Sequence, residues 1–272
     1  MSARAPLTVL FGTWVYGGEP VGQDDPAELF HEASRFYPDV VDTHAVGGTV
    51  LARSPELQAS AHRAVRRRTG LPAVPLPEPQ PTRARLDTLV AARRSTRGYG
   101  DAPLSLAHLS TLLQRSYGVT GALGSQPFRA APSGGALYPL EVYVAAQRVE
   151  RLEAALYHFD PLRAVLERIR PLGKDELAGL TPYDELLVPS AAVAMISAVF
   201  WRSRFKYGSR AYRFALLEAG HVAQNFLLTA TGLGLAACPV GGFYDRRVDA
   251  FLGIDGLYEA PLYLLPVGAR GP

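Results

Sequence analysis

The chain has 272 residues, enough for one large domain with an extension, and its 48% hydrophobic and 19% charged side chains describe a globular protein with a sizeable core. With 28 lysines and arginines against 25 acidic residues, the formal charge is only +3. That excess marks no nucleic-acid surface, although it suits an anionic cofactor or acidic substrate. A single cysteine, Cys238, excludes an intramolecular disulfide and a cysteine-based metal cluster, so a reducing, cytoplasmic setting is expected.

Taken in chain order, Met1 to Pro6 lacks a signal-peptide pattern. An apolar stretch, Val9 to Tyr16, is followed by the helix-start signal Asp24-Asp25-Pro26 and a helical pattern from Ala27 to Arg35. Residues 1–70 are set off as an N-terminal extension by the prolines Pro72, Pro75, Pro77, Pro79 and Pro81. These hold residues 71–83 extended and withhold them from sheet and helix hydrogen bonding. Residues 84–272 then form the main domain. Arg83 to Arg94 reads as a helix, and Leu106 to Tyr117 as a second one with Ser105 at its N-cap. Leu140 to Gln147 reads as a strand, Ala155 to Phe159 as its hairpin partner, and Pro161 to Ile169 as a segment that turns away.

The apolar run Leu186 to Trp201 is broken by Pro189 and is shorter than the ~20 residues a membrane helix requires. It reads as a buried strand, Ala191 to Phe200. Arg210 to Thr231 is a long helix, apolar nearly all round, with Glu218 its only strongly ionised interior residue. Such a helix is buried, either centrally or in a subunit interface. A last strand, Pro261 to Val267, completes an order that predicts an α+β fold with a mostly antiparallel sheet.

Three clusters carry chemistry. Lys206-Tyr207-Gly208-Ser209-Arg210 places a lysine and a tyrosine among Arg202, Arg204, Arg210 and Arg213, just before the long helix. Lysine and tyrosine ordinarily titrate near ~10.4 and ~10, and neighbouring positive charge would bring such groups into use as a base near neutral pH; the same run equally describes a basic loop capping a helix. Arg93-Arg94-Ser95-Thr96-Arg97 packs three guanidiniums and two hydroxyls where a helix gives way to a loop. That composition suits bidentate phosphate binding, and equally a solvated helix end. Pro132-Ser133-Gly134-Gly135-Ala136-Leu137-Tyr138-Pro139 is either a close-approach loop against which a planar ring can lie or an ordinary tight turn.

Other patterns fall away. Gly232-Leu233-Gly234 follows a helix, the reverse of the dinucleotide-binding arrangement. It serves as the glycine-rich end of that helix. Glu218 and His221 make one half of a di-iron motif with no second half, so no metal is expected.

In this order the segments resemble the nitroreductase superfamily of flavin mononucleotide (FMN) enzymes. More narrowly, the 132–139 loop, Leu-Tyr-His-Phe-Asp at 156–160, Lys-Tyr-Gly-Ser-Arg-Ala-Tyr-Arg at 206–213 and Glu-Ala-Gly-His-Val-Ala-Gln-Asn at 218–225 are similar to SagB-type peptide dehydrogenases. Those flavoproteins oxidise thiazoline and oxazoline rings of ribosomally made peptides to thiazoles and oxazoles. The resemblance implies a nitroreductase-like fold with a long buried central helix, working as a homodimer with FMN at the subunit interface. It implies that Arg93, Arg94, Ser95 and Arg97 hold the phosphate and polar side of the flavin, and that Pro132, Ser133 and Gly134 lie beside the isoalloxazine. Gly241, Gly242 and Arg270 add further contacts, and Lys206 and Tyr207 form the catalytic pair.

It also implies an azoline-containing peptide substrate, a companion cyclodehydratase complex, and reoxidation of the flavin by dioxygen. No nucleic acid or membrane takes part. Two other functions stay open: a reductase of nitroaromatics or quinones driven by a nicotinamide, and a non-catalytic peptide-binding subunit of a modification complex.

Overall fold

The computed structural model describes residues 25–35, 47–66, 68 and 70–271, so the apolar stretch Val9 to Tyr16 lies outside the described residues. A seven-stranded sheet runs in the order β1-β6-β5-β4-β7-β9-β8. Its strands are β1 (Ala73–Pro75), β4 (Leu140–Ala146), β5 (Ala155–Asp160), β6 (Val165–Pro171), β7 (Ala192–Val199), β8 (Leu235–Ala237) and β9 (Glu259–Ala269), and every pairing is antiparallel. The central strands β4 and β7 are covered on both faces. They therefore read as continuous apolar runs, not as alternating ones.

On one face, Val142, Val144, Ala194 and Ile196 pack with Phe226 and Ala223 of the long helix. On the other, Tyr143, Ala145, Val193 and Met195 pack with Leu186, Leu187, Val248 and Phe251. The first of these covering pairs lies on a short helix, Asp184–Leu187, and the second on a later one, Asp245–Leu252.

Two expectations are corrected. The segment after Asp160 does not turn away: β6 returns along β5, with Phe159 opposite Leu166. The proline strap is not withheld from the sheet, since Ala73–Pro75 pairs with Val165–Glu167 as the edge strand β1, where a proline with its nitrogen facing away from the partner leaves the ladder intact. Beyond it, the carbonyl of Pro77 accepts from Gln114 Nε2 at 2.9 Å and from the Ser110 hydroxyl. Both donors belong to α4 (Leu106–Tyr117), which Ser105 caps by accepting from the His108 amide at 3.1 Å.

The described part of the N-terminal extension is docked on the core. In chain order it holds α1 (Pro26–Ala33), capped by Asp25, a helical stretch at 47–53, and α2 (Pro55–Arg63), capped by Ser54; α3 (Leu86–Ala92) follows the strap. Ala64 O accepts from Arg129 at 2.7 Å, and the Arg66 amide donates to Glu141 Oε1 at 2.7 Å. The Arg66 guanidinium pairs with Glu259 at 2.9 Å. Not anticipated from sequence were the short hairpin β2 (Val119–Leu123) and β3 (Gln126–Arg129), strand β8, and the Asp245–Leu252 helix.

With the short helix Asp184–Leu187 counted as α5, α6 is Trp201–Tyr207 and α7 is Arg210–Gly232, 23 residues long. Ala215, Ala219, Val222, Ala223, Phe226 and Ala230 bury one face of α7 against the sheet. Among the described residues the opposite face is left open: Leu216 is 45% and Leu217 61% exposed, and Gly220 has open space beside it.

Candidate active site

Lys206 and Tyr207 close α6, and Gly208 ends it at a positive φ of 54°. Both side chains reach the 132–139 loop. A side-chain carbon added at Gly135 would clash with Tyr207 Oη and Lys206 Nζ, closer to both than van der Waals contact allows. The Phe214 ring fills the space below, 3.1 Å from an added carbon at Gly134 and edge-on to Tyr207 at 5.1 Å. The loop itself is a tight turn closed by Ser133, whose hydroxyl accepts from the Tyr138 amide at 2.9 Å. Positive φ at three of four positions, Gly135 (φ 65°), Ala136 (φ 52°) and Tyr138 (φ 45°), gives it stored strain of the kind that concentrates at functional sites.

Beneath this turn lies Glu218 of α7, 2% exposed, accepting from the Tyr117 hydroxyl at 2.8 Å. Burial pushes its carboxyl up to about 7, against the Ser133 and Tyr117 hydroxyls and the charges of Arg129 and Arg202. Arg129 is sandwiched between the Tyr117 and Tyr138 rings, 4.4 Å and 4.6 Å from their centroids.

The four arginines expected to act on the lysine are directed elsewhere. Arg202 bonds to Glu141, and Arg204 lies over the Trp201 ring. Arg210 and Arg213 donate to Ser34 of the N-terminal segment, at 3.1 Å and 2.7 Å. Arg210 and Arg213 thereby fasten the N-terminal segment to α7, and Arg202 ties α6 to the sheet.

A second cluster forms at the far end of α7. The Arg93–Arg97 loop is tied to β8 by the Thr96 amide, which donates to Ala237 O at 2.9 Å, and Gly232 packs against Leu89. Arg97 lines a cavity of about 340 Å³ with Gly241, Gly242, Cys238, Tyr183 and Glu185. Burial pushes the Cys238 thiol up, opposed by the charge of Arg97 and by hydrogen bonds with Arg97 and Ser95, so both side chains stand beside the sulfur. Thr181 fixes the glycine loop by donating to Gly242 O at 2.7 Å. Arg270 pairs across an isolated bridge with Tyr99, placing it beside the same loop. Arg94 folds back onto the carbonyls of Ala91 and Arg93, and Arg93 is the helix C-cap.

The structure therefore gathers Lys206, Tyr207, Ser133 and Gly134 at one end, with Pro132 exposed beside them. Arg97, Ser95, Gly241, Gly242 and Arg270 gather at the other. The 23 residues of α7 that separate the groups rise ~34 Å at helical pitch. One chain does not bring the two sets onto a single mononucleotide.

Residues 90–269 match the model of the nitroreductase family. The chain is also 38% identical to the nitroreductase-type protein MJ1384 of Methanocaldococcus jannaschii over 187 residues, 68% of this chain and 91% of that protein. This chain belongs to the nitroreductase family. Proteins of the nitroreductase family bind flavin mononucleotide.

Among further relatives, the microcin B17-processing protein McbC of Escherichia coli is 34% identical over 140 residues, which span 49% of this chain and 52% of McbC. A solved nitroreductase-type structure from Ralstonia eutropha superposes with a TM-score of 0.64 at 28% identity, covering 74% of this chain and 90% of that one.

The cavity fits the nitroreductase cofactor. It sets a guanidinium fork and two side-chain-free backbone positions around a space within the ~300–1,000 Å³ range of cofactor and small-ligand sites. Sequence reasoning missed Tyr117, Arg129, Thr181 and Cys238, whose roles come from contacts made far along the chain. Glu218 carried a signal, a lone acid on an apolar helix.

Proposed function

We propose that this protein is an FMN-dependent dehydrogenase that oxidises thiazoline or oxazoline rings in a ribosomally made peptide to thiazole or oxazole. The observation that carries the reading is the convergence of Lys206 and Tyr207 on the strained Gly135 turn. Two proton-accepting side chains there face an exposed, side-chain-free backbone position against which a flat ring can lie. Similarity to McbC, a peptide-processing protein, supports the same direction.

Aromatisation of the ring removes a proton from one carbon and a hydride from its neighbour. Lys206 or Tyr207 takes the proton, acting as a coupled pair at Nζ and Oη. Bound flavin supplies the two-electron acceptor for the hydride, and dioxygen is the final oxidant. Arg97, Ser95 and Arg270 would hold the anionic end of the cofactor, with Gly241 and Gly242 offering main-chain contacts. Pro132, Ser133 and Gly134 lie beside its ring system.

Because the two clusters stand at opposite ends of α7, the working unit is a homodimer. Each site takes its phosphate cluster from one copy and its Lys206–Tyr207 pair from the other. The exposed Leu216–Leu217 face supplies apolar surface for that contact. A cyclodehydratase that makes the azoline ring is the expected companion.

The test is direct: purified protein carrying stoichiometric flavin should remove two mass units from an azoline peptide under air, with hydrogen peroxide formed. The similarity to MJ1384 favours a second reading, a nicotinamide-driven reductase of nitroaromatics or quinones. Rapid bleaching of the flavin by NADPH, with no mass loss from azoline peptides, would select it.

A further inference from the structure

A second cavity, of about 560 Å³, opens next to the Lys206–Tyr207 end. Leu57, Ala61 and Ala64 of the N-terminal segment line it, facing Leu137, Trp201 and Phe205 of the main domain. We infer that this cavity receives an apolar side chain of the peptide substrate, flanking the ring that reacts, and that the N-terminal segment is therefore one wall of the peptide-binding site. The inference rests on the azoline reading for its substrate and on the geometry for its place.

Position is the first argument. Phe205 immediately precedes Lys206, and Leu137 lies two residues past Gly135, so the cavity and the catalytic pair share the same helix and the same turn. The N-terminal wall is held tightly there: an added methyl on Gly47 would stand 1.8 Å from Phe205 O, and one on Gly48 would touch Lys206 Cε at 3.8 Å.

Chemistry is the second. Among the described residues of the lining the only charged side chain, Arg202, is engaged with Glu141, leaving a predominantly aliphatic and aromatic surface. Three large apolar side chains of the lining stay open to solvent: Trp201 at 50%, Leu57 at 44% and Phe205 at 39%. Exposed apolar side chains around a concave, apolar space describe a binding site for an apolar group. A peptide whose reacting ring lies at the Gly135 turn has its neighbouring side chains within reach of this wall.

The experiment uses the full chain with Trp14→Phe, so that Trp201 is the only tryptophan, and two non-reactive thiazole peptides that differ only in carrying Phe or Gly beside the ring. Trp201 fluorescence reports binding. The Phe peptide is expected to bind ~10-fold or more tightly than the Gly peptide, as deletion of a large apolar group from a fitted pocket requires. Ala61→Phe, which fills the cavity without adding a tryptophan, should bring that ratio close to one while Gly-peptide binding is kept. Leu57→Asp at the exposed rim should lower the ratio in the same direction, and it guards against misfolding of the filled variant.

Equal affinity for the two peptides in the parent, or a ratio that neither variant changes, would overturn the inference; equal affinity is also the result if the chain's own residues fill the space. Turnover of the Gly-flanked azoline is followed separately. Oxidation without a binding ratio rejects the cavity alone, whereas a ratio without oxidation rejects the azoline chemistry and leaves the subsite standing.

Discussion

A side-chain carbon at Gly135 would stand 2.5 Å from Tyr207 Oη and 2.8 Å from Lys206 Nζ. The absence of a side chain at this position is thus what lets both groups reach the turn. Gly135→Ala adds that carbon and also strains a residue held at φ 65°. The expected cost in stability is ~1 kcal/mol or somewhat more, a modest fall in melting temperature. Turnover should fall far more, by ~10²-fold, because displacement of catalytic groups by about 1 Å has that effect. Retained flavin absorbance alongside lost turnover is the expected pattern; unchanged turnover would show that the pair does not work at this turn.

Lys206→Ala and Tyr207→Phe should each lower kcat by ~10²-fold or more, the usual contribution of a positioned acid or base. Flavin content should hold in both variants, since neither residue belongs to the Arg97 cavity. The double variant is expected to be no worse than the poorer single one, as groups that move one proton between them are not additive. Additive losses would instead assign the two residues to separate steps.

The separation along α7 yields a test of shared sites. An Arg97→Ala variant and a Lys206→Ala/Tyr207→Phe variant should each be inactive alone. Mixed under conditions that exchange subunits, they should recover roughly a quarter of the parent activity, because half the dimers are mixed and each holds one intact site of two. If each chain carried a whole site, the mixture would stay inactive.

The elements most legible in the sequence were those with a one-dimensional cause. Ser105 announced α4 by its capping chemistry, the apolar run announced β7, and the apolar face of α7 announced a covered helix. The strap misled because proline is readily accommodated on an edge strand, and edge position depends on where β6 runs. For the arginines around Lys206, sequence proximity places four charges near the lysine but not their contacts. Ser34 and Glu141, distant in sequence, and Trp201, three residues before Arg204, determine where those guanidiniums point. Candidate site residues were found as motifs, but their division between two ends of one helix is a property of the sheet register, which no motif carries.

His158 bridges two buried carboxylates, Glu141 at 2.7 Å and Glu167 at 3.0 Å. Burial alone would lower its pKa, yet hydrogen bonds and charge from both acids outweigh it and raise the value. Glu141 is pushed up by burial and pulled down further by Arg202 and His158, to about 2. His158→Ala would leave two acids buried without their shared donor, a loss of ~3–5 kcal/mol that lowers the melting temperature by roughly 10 °C. The bridge also has a pH window. The Glu141 contribution disappears as pH falls from about 4.5 through 2, and the His158 contribution as pH rises from 6.5 through its raised value. A thermal scan across pH that shows no such narrowing on either side would count against a charged bridge.

Glu218 gives the opposite sign from an ion-paired acid. Its carboxyl titrates near 4.5 when unfolded and about 7 in the fold, mainly because it is buried. Between those values the native protein keeps a proton that the unfolded chain has released, so the stability held at low pH declines as pH rises through 7. The difference of about 2.5 units corresponds to on the order of 3 kcal/mol. Glu218→Gln preserves the shape and the acceptor for Tyr117 while removing the charge. Denaturant unfolding should find parent and variant nearly equal at pH 5, with the variant the more stable at pH 8. Parallel curves across that range would mean that Glu218 ionises in the folded protein as readily as in the unfolded chain, and that the buried acid beneath the Ser133 turn is not held neutral.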